Sequence, residues 1–256
     1  MRNSLVPQLI HLSETDSTNQ FLRKLSDREK LASGSIVVAD FQTTGRGIAG
    51  SSWESEAGKN LTFSILYYPL LGVASSSLGV ASSLRPFVIA EMASLSVKDT
   101  LEKYISGVTV KWPNDIYCGD KKIAGILIEN ILFQGEITQS IIGIGININQ
   151  TAFLSDAHNP VSMAQVANKM FDRMDILNEF RQTFAAQSER LNNRQFAAIH
   201  ADYLQTMYRR TGIYPYRDEQ GIFKAVLYDI EPTGHLLLKR ANGRISRYAF
   251  KEVSYL

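Results

Sequence analysis

The chain has 256 residues, 45% of them hydrophobic and 20% charged, with a formal net charge of +2. That is enough apolar material for one large domain, or for a catalytic domain with a small appendage. The near-balanced charge leaves no electrostatic footprint for nucleic acid and no polybasic patch for a membrane.

Cys118 is the only cysteine, so no intramolecular disulfide can form, which fits a reducing compartment. Polar side chains interrupt Met1 to Lys30 throughout, and no stretch approaches the ~18 apolar residues of a membrane span. The expectation is a soluble, unexported, cytoplasmic protein.

The first element is a short strand over Pro7–Leu12. A cluster of capping residues, Glu14 to Asn19, then precedes Phe21, Leu22 and Leu25 at helical spacing, which predicts a helix over about Asn19–Lys30. Ser35–Phe41 reads as an apolar strand that runs into a glycine-rich stretch, Gln42–Gly58. Asn60–Tyr68 alternates, with Leu61, Phe63, Ile65 and Tyr67 facing one way. Leu71–Leu84 carries a short internal echo and reads as a Ser/Gly-rich loop. Ala90, Ala93, Val97, Leu101 and Tyr104 mark one face of a following helix.

Strands are then predicted at Val108–Trp112, Lys122–Asn130 and Ser140–Asn149. The last contains Gly143 and Gly145 within an isoleucine run, which suggests close approach to its backbone. From Met163 to about Met207 the pattern is helical, with Ile176, Leu177, Phe180 and Phe184 on one stripe and Phe196, Ile199 and Tyr203 on another. Beyond Gly212 the texture turns to short strands, Ile222–Ile230, His235–Lys239 and Ile245–Phe250, separated by turn residues. This predicts a division into 1–208, the larger mixed domain, and 209–256, a small all-β unit packed on it.

Three segments have the residue types for chemistry. Gln42-Thr43-Thr44-Gly45-Arg46-Gly47, continuing to Trp53, follows a strand directly. Its glycines let backbone amides approach an anion, and Arg46 suits a carboxylate or phosphate. It is neither a Walker loop nor a dinucleotide fingerprint. Lys111-Trp112-Pro113-Asn114-Asp115 places an amide and a carboxylate at a strand's carboxyl end. Lys122 begins a returning strand, so its ammonium can point back toward Asp115, and Gly125 permits close approach to that strand. Taken singly, each has a bland reading as a solvated loop, a capped turn or an edge-strand lysine. The four histidines lack metal-ligand spacing, no Ser/His/Asp arrangement is visible, and Cys118 reads as structural. No protein-held metal site is expected.

In order and combination these segments resemble the bacterial biotin–protein ligase family. The matching stretches are Ser17-Thr18-Asn19, the Gln42–Gly47 segment with Trp53, Lys111–Asp115, Lys122–Leu127 with Glu129, and Gly143–Asn147. The resemblance implies an α+β fold: a mixed sheet flanked by helices, related to class II tRNA synthetases and lipoate ligases, with a small C-terminal SH3-like barrel. It implies that biotin and MgATP give biotinyl-5′-AMP and pyrophosphate. The lysine of a biotin carboxyl carrier domain, part of a biotin-dependent carboxylase, then takes the acyl group and releases AMP.

By the same resemblance Ser17, Thr18, Asn19 and Gln42 bind biotin's ureido head, Trp53 and nearby apolar residues enclose the ligand, and Gly45 and Gly47 are among the ligand-binding residues. Arg46 and Lys122 draw biotin's carboxylate and the α-phosphate together. Gly125 and Ile126 offer backbone groups, while Asn114 and Asn147 lie on the nucleotide side. Asp115 orients the acceptor lysine and takes its proton. The loop after Arg46 departs from many relatives: Ile48, Ala49, Gly50, Ser51 and Ser52 leave Arg46 its only cation, which predicts a looser hold on the adenylate. The chain starts about a dozen residues before the first motif, so no N-terminal DNA-binding half is expected, and the state is a monomer or homodimer. The rivals are a lipoate or octanoate ligase of the same fold, and a non-catalytic biotin sensor.

Overall fold

The computed structural model describes residues 5–69, 86–154 and 159–256. Its first layer is a seven-stranded sheet built from β1 (Leu9–Thr15), β2 (Ile36–Gln42), β3 (Leu61–Tyr67), β4 (Val108–Lys111), β5 (Asp115–Cys118), β6 (Lys121–Phe133) and β7 (Glu136–Ile146). The order is β1-β2-β3-β7-β6-β5-β4. Only β1 and β2 run parallel, joined over one face by helix α1 (Thr18–Arg28); every other pairing is antiparallel. The mixed sheet flanked by helices is therefore the architecture expected.

Strand alternation sorts the two faces. On β3, Leu61, Phe63, Ile65 and Tyr67 point into the larger core, as the pattern predicts, and Ile142, Ile144 and Ile146 of β7 join them. This face is covered by α2 (Val88–Glu102), α4 (Arg173–Asn192) and α5 (Phe196–Gln205), with the short α3 (Met163–Ala167) beside them. Phe63 meets Phe180 edge-on with ring centroids 4.9 Å apart. Burying one such ring stabilises the fold by about 1.5–3 kcal/mol. Helix α4 starts where the Asp172 carboxylate accepts from Met174 N and Asp175 N, satisfying amides that have no partner inside the helix.

The other face is divided. Leu66 and Ile141 pack with Leu22 of α1 in a smaller cluster. Beyond that cluster the same face carries Thr62, Ser64, Gly143, Gly145 and Gly125, and among the described residues no helix lies along it. The absence of bulk there is what makes room for a site.

The C-terminal strands are β8 (Tyr214–Asp218), β9 (Gly221–Ile230), β10 (Leu236–Arg240), β11 (Ile245–Tyr248) and β12 (Ser254–Tyr255). They form an antiparallel sheet of linear order β11-β10-β9-β8-β12. Leu227, Ile230, Leu236 and Leu238 belong to the same core as the main sheet. Further ties are the hydrogen bond from Trp112 Nε1 to Gly234 O, 2.8 Å, and the Trp112–Phe250 ring contact.

Periodicity did not separate β5, β8 and β12, which are short. The Ser/Gly-rich stretch Leu71–Leu84 lies outside the described residues. Among the described residues, no helix is long and apolar enough to cross a membrane.

Candidate functional site

The floor of the site is set by register. Across four strands the pairing runs Asp115 to Gly125, Gly125 to Gly145, and Gly145 to Thr62. The neighbouring row runs Leu127 to Gly143 to Ser64. Glycine is required in the middle of both rows. A Cβ on Gly145 would stand 2.3 Å from the Trp53 ring, and one on Gly143 would stand 2.3 Å from Asn19 Oδ1.

A cavity of about 420 Å³ opens over this floor. Every residue nominated from the sequence lines it except Gly45 and Asn147. Gly45 stands at the base of the loop, where its carbonyl accepts from Trp53 N at 3.0 Å. Asn147, expected on the nucleotide side, does not line this cavity. It lies buried beyond the end of β7, and its Nδ2 donates to Val161 O at 3.2 Å. Its backbone N–H goes to Ile123 O, so it braces the segment beside Lys122 instead of facing the cavity.

One end of the cavity is a buried polar cluster. Ser17 caps α1 in extended conformation, which turns Thr18 and Asn19 inward at the helix start. Thr18 N and Oγ1 both donate to Gln42 Oε1, at 2.8 and 3.0 Å. Asn19 Nδ2 donates to Glu129 Oε2 at 2.9 Å. Beneath them Ser64 Oγ lies 2.7 Å from Thr18 Oγ1 and 2.5 Å from Asn19 Oδ1. Ser64 escapes sequence reasoning because it reads as a polar position in a strand; only register reveals its neighbours.

The arginine loop folds back on itself. Gly47 N donates to Ser51 O at 2.7 Å, and Arg46 bridges Ser52. Trp53 is thereby laid over Gly145, and its indole Nε1 is buried without a hydrogen-bond partner. Arg46 turns toward α1. With the Gln20 amide oriented to satisfy its neighbours, its oxygen accepts from the two terminal Arg46 guanidinium nitrogens and its nitrogen donates to Asp16 at 3.0 Å.

At the far end Lys122 Nζ is 2.6 Å from Asp115 Oδ1, each side chain about a quarter exposed. Asn114 Nδ2 donates to Ile126 O at 2.6 Å, which fixes the turn carrying Asp115. Lys111 pairs with Asp115 across β4–β5 and donates to Tyr117 OH at 2.9 Å. Its ammonium lies 4.6 Å from the Tyr117 ring centroid and 5.0 Å from that of Tyr255. Burial lowers the Lys111 pKa, and the Asp115 charge opposes the shift.

The C-terminal strands complete the wall with Phe250, Lys251, Val253, Ser254 and Tyr255. None was nominated from the sequence, where they read as ordinary strand and turn residues. The positive φ of 72° at Lys251 marks the tight turn that brings them in. Among the described residues, no group of three or more His, Cys, Asp or Glu side chains could hold a metal ion.

The arrangement offers a polar, sequestered end, a flat floor, and an end with two lysines flanking one carboxylate. The sequence profile of the Biotin/lipoate A/B protein ligase family matches residues 12–147. Over 144 residues the chain is 38% identical to the bifunctional ligase/repressor BirA of Salmonella typhimurium, covering 56% of this chain and 42% of that protein. The chain thus spans less than half the length of that relative. It is 29% identical over 247 residues to the biotin–[acetyl-CoA-carboxylase] ligase of Paracoccus denitrificans, covering 91% of this chain and 95% of that one. The solved biotin protein ligase from Aquifex aeolicus, in complex with biotin and ATP, shares the fold with a TM-score of 0.75 at 26% identity, covering 97% and 98% of the two chains.

Proposed function

Since the chain belongs to the biotin/lipoate A/B protein ligase family, we propose that it is a biotin–protein ligase that works through a biotinyl adenylate. The observation that carries this is one cavity with a buried hydrogen-bonding cluster at one end and the Lys122–Asp115 pair at the other, joined by a glycine floor.

In the first half-reaction a biotin carboxylate oxygen attacks the α-phosphorus of ATP, and the bond to the pyrophosphate leaving group breaks. Both reactants are anionic, so the step needs preorganised positive charge. Lys122 supplies it on the floor. Arg46, on the loop, joins it when the loop closes over the ligand. Magnesium would belong to the MgATP substrate and would offset part of the phosphate charge.

In the second half-reaction the acceptor lysine of a carrier domain attacks the mixed anhydride carbonyl, and AMP departs. A free lysine has a pKa of about 10.4 and is mostly unreactive at neutral pH. Asp115, between Lys111 and Lys122, orients that amine and receives its proton. Trp53 and the loop exclude water from the anhydride.

The family also covers lipoate chemistry. Ser17, Thr18, Asn19 and Gln42 argue for biotin, because a dithiolane would offer no partner to the polar valences this cluster still turns toward the cavity, at about 1–3 kcal/mol for each one desolvated. We place the catalytic unit in 1–208, with 209–256 closing its wall, and the activity in the cytoplasm. Incubation with MgATP and either biotin or lipoate tests the reading, with pyrophosphate release and acyl-adenylate followed by mass spectrometry. Biotinyl-AMP, and transfer to an apo carrier domain, is the expected result. Lipoyl-AMP alone, or no adenylate with either acid, overturns it.

A further inference from the structure

We propose that Ser64 and Glu129 are positioning residues that fix the hydrogen-bond polarity of the head-group end, so that it reads a cyclic urea and rejects an analogue that carries a donor in place of the urea carbonyl oxygen. The inference rests on the biotin reading and adds the means of discrimination.

Glu129 Oε2 accepts from Asn19 Nδ2 at 2.9 Å, which sets the Asn19 amide with its oxygen toward Ser64. Thr18 N–H donates to Gln42 Oε1 at 2.8 Å, which sets the Gln42 amide with its oxygen toward Thr18 and its Nε2 away. Between these two fixed amides stand two hydroxyls, Ser64 and Thr18. They make three contacts: Ser64 to Asn19 Oδ1 at 2.5 Å, Ser64 to Thr18 at 2.7 Å, and Thr18 to Gln42 Oε1 at 3.0 Å.

Two hydroxyl protons serve those three contacts, so both are held on the protein side. Toward the cavity Thr18 Oγ1 then shows a lone pair, and Gln42 shows an N–H donor. A cyclic urea has the matching polarity: N–H groups for the acceptor, a carbonyl oxygen for the donor. Ser64 is 0% exposed and Asn19 4%, so water cannot substitute for a lost partner without rearrangement. Ser64 faces the cluster because its register partner, Gly143, has no side chain to intervene.

The test is ATP–pyrophosphate exchange with three acids. Biotin has the urea, 2-iminobiotin has an N–H in place of the carbonyl oxygen, and dethiobiotin keeps the urea but lacks the sulfur. Wild type should favour biotin over 2-iminobiotin. Ser64→Ala should raise KM for biotin about tenfold with kcat little changed, on the scale of one or two hydrogen bonds. It should also narrow the biotin to 2-iminobiotin preference while leaving the biotin to dethiobiotin ratio unaltered. Glu129→Ala should narrow the same preference, and Glu129→Gln, which keeps an acceptor oxygen for Asn19, should restore it.

A merely structural role would move all three KM values together. That result, or no change in preference in any folded variant, overturns the proposal. If Ser64→Ala does not fold, the two Glu129 variants decide. A wild-type protein that forms no adenylate with biotin fails at the earlier reading, and is recognised by its inactivity before any variant is compared.

Discussion

Asp115 and Lys122 form an ion pair, 2.6 Å from Oδ1 to Nζ, between the first residue of β5 and the second of β6. In the proposed mechanism this pairing would tie the two half-reactions to one contact. Asparagine at 115 would keep an oxygen for Lys122 and lose the proposed base. Asp115→Asn should therefore depress transfer to the carrier more than adenylate formation. Lys122→Gln should depress adenylate formation about 10²–10³-fold, the range for losing one preorganised charge donor. Single-turnover measurement of each half-reaction decides, and equal losses in Asp115→Asn would remove Asp115 as the base.

The two floor glycines should respond differently to alanine. At Gly143 the new methyl meets the Asn19 amide, which is buried and hydrogen-bonded, so the fold must strain by about 1–3 kcal/mol. At Gly145 it meets Trp53, which rides on a loop that can lift. Gly145→Ala should therefore keep most of its stability but bind biotin and ATP poorly. Urea unfolding beside KM measurement separates the two; matched destabilisation would contradict the contrast.

Trp53 Nε1 is buried with no partner. An unpaired N–H of this kind costs roughly 1–3 kcal/mol. Trp53→Phe keeps most of the ring over the floor and removes that group, so stability without substrate should hold or rise. A loss above about 2 kcal/mol in denaturant titration would show that the indole nitrogen finds a partner in solution.

Arg46 is the only cation of its loop, and Gln20 engages it. Holding the adenylate means breaking that contact. Biotinyl-AMP should dissociate faster than from a relative with additional loop arginines, in a filter-binding or fluorescence chase. Equal or slower release would count against it.

His200 on α5 joins Glu91 of α2, at 2.6 Å from Nδ1, to Asp229 of β9, at 2.9 Å from Nε2. Its pKa is raised, first by the hydrogen bond to Glu91, with burial opposing and Asp229 adding. Tyr203, buried on the same helix, is the neighbouring titratable group. The folded protein holds the proton more tightly than the unfolded chain does, whose His pKa is about 6.5. The stabilisation is fully present below that pH and is lost as pH rises through the higher folded pKa. Wild-type Tm should fall over that upper interval, and His200→Gln should flatten the fall. A variant with the wild-type profile would show that the proton is not held there.

Some of this was legible beforehand because it follows from period and punctuation. The isoleucines of β7 and the odd-numbered apolar residues of β3 announce a buried face, and the residues around Gly45 and Asp115 announce loops, which the structure brings to one cavity. What stayed hidden depends on partners far away in sequence. Ser64 acquires meaning only from α1, and the partner of the Asn147 amide, Val161 O, lies in a segment that local pattern does not bring near. Tyr255 reaches the cavity through the turn at Lys251, a geometry that local pattern does not encode. The short β5, β8 and β12 lack the length to establish a period.

The alternation on β7 also binds activity to folding. Ile142, Ile144 and Ile146 lie on the helical side, and Gly143 and Gly145 on the open side. A slip of one residue against β3 or β6 would exchange them: isoleucines would fill the trough and glycines would leave holes among the phenylalanines. If the proposed reaction runs over this floor, its turnover would serve as an internal proofreader of strand alignment. A population refolded out of register would be inert as well as unstable, and recovered turnover would count the correctly zipped molecules.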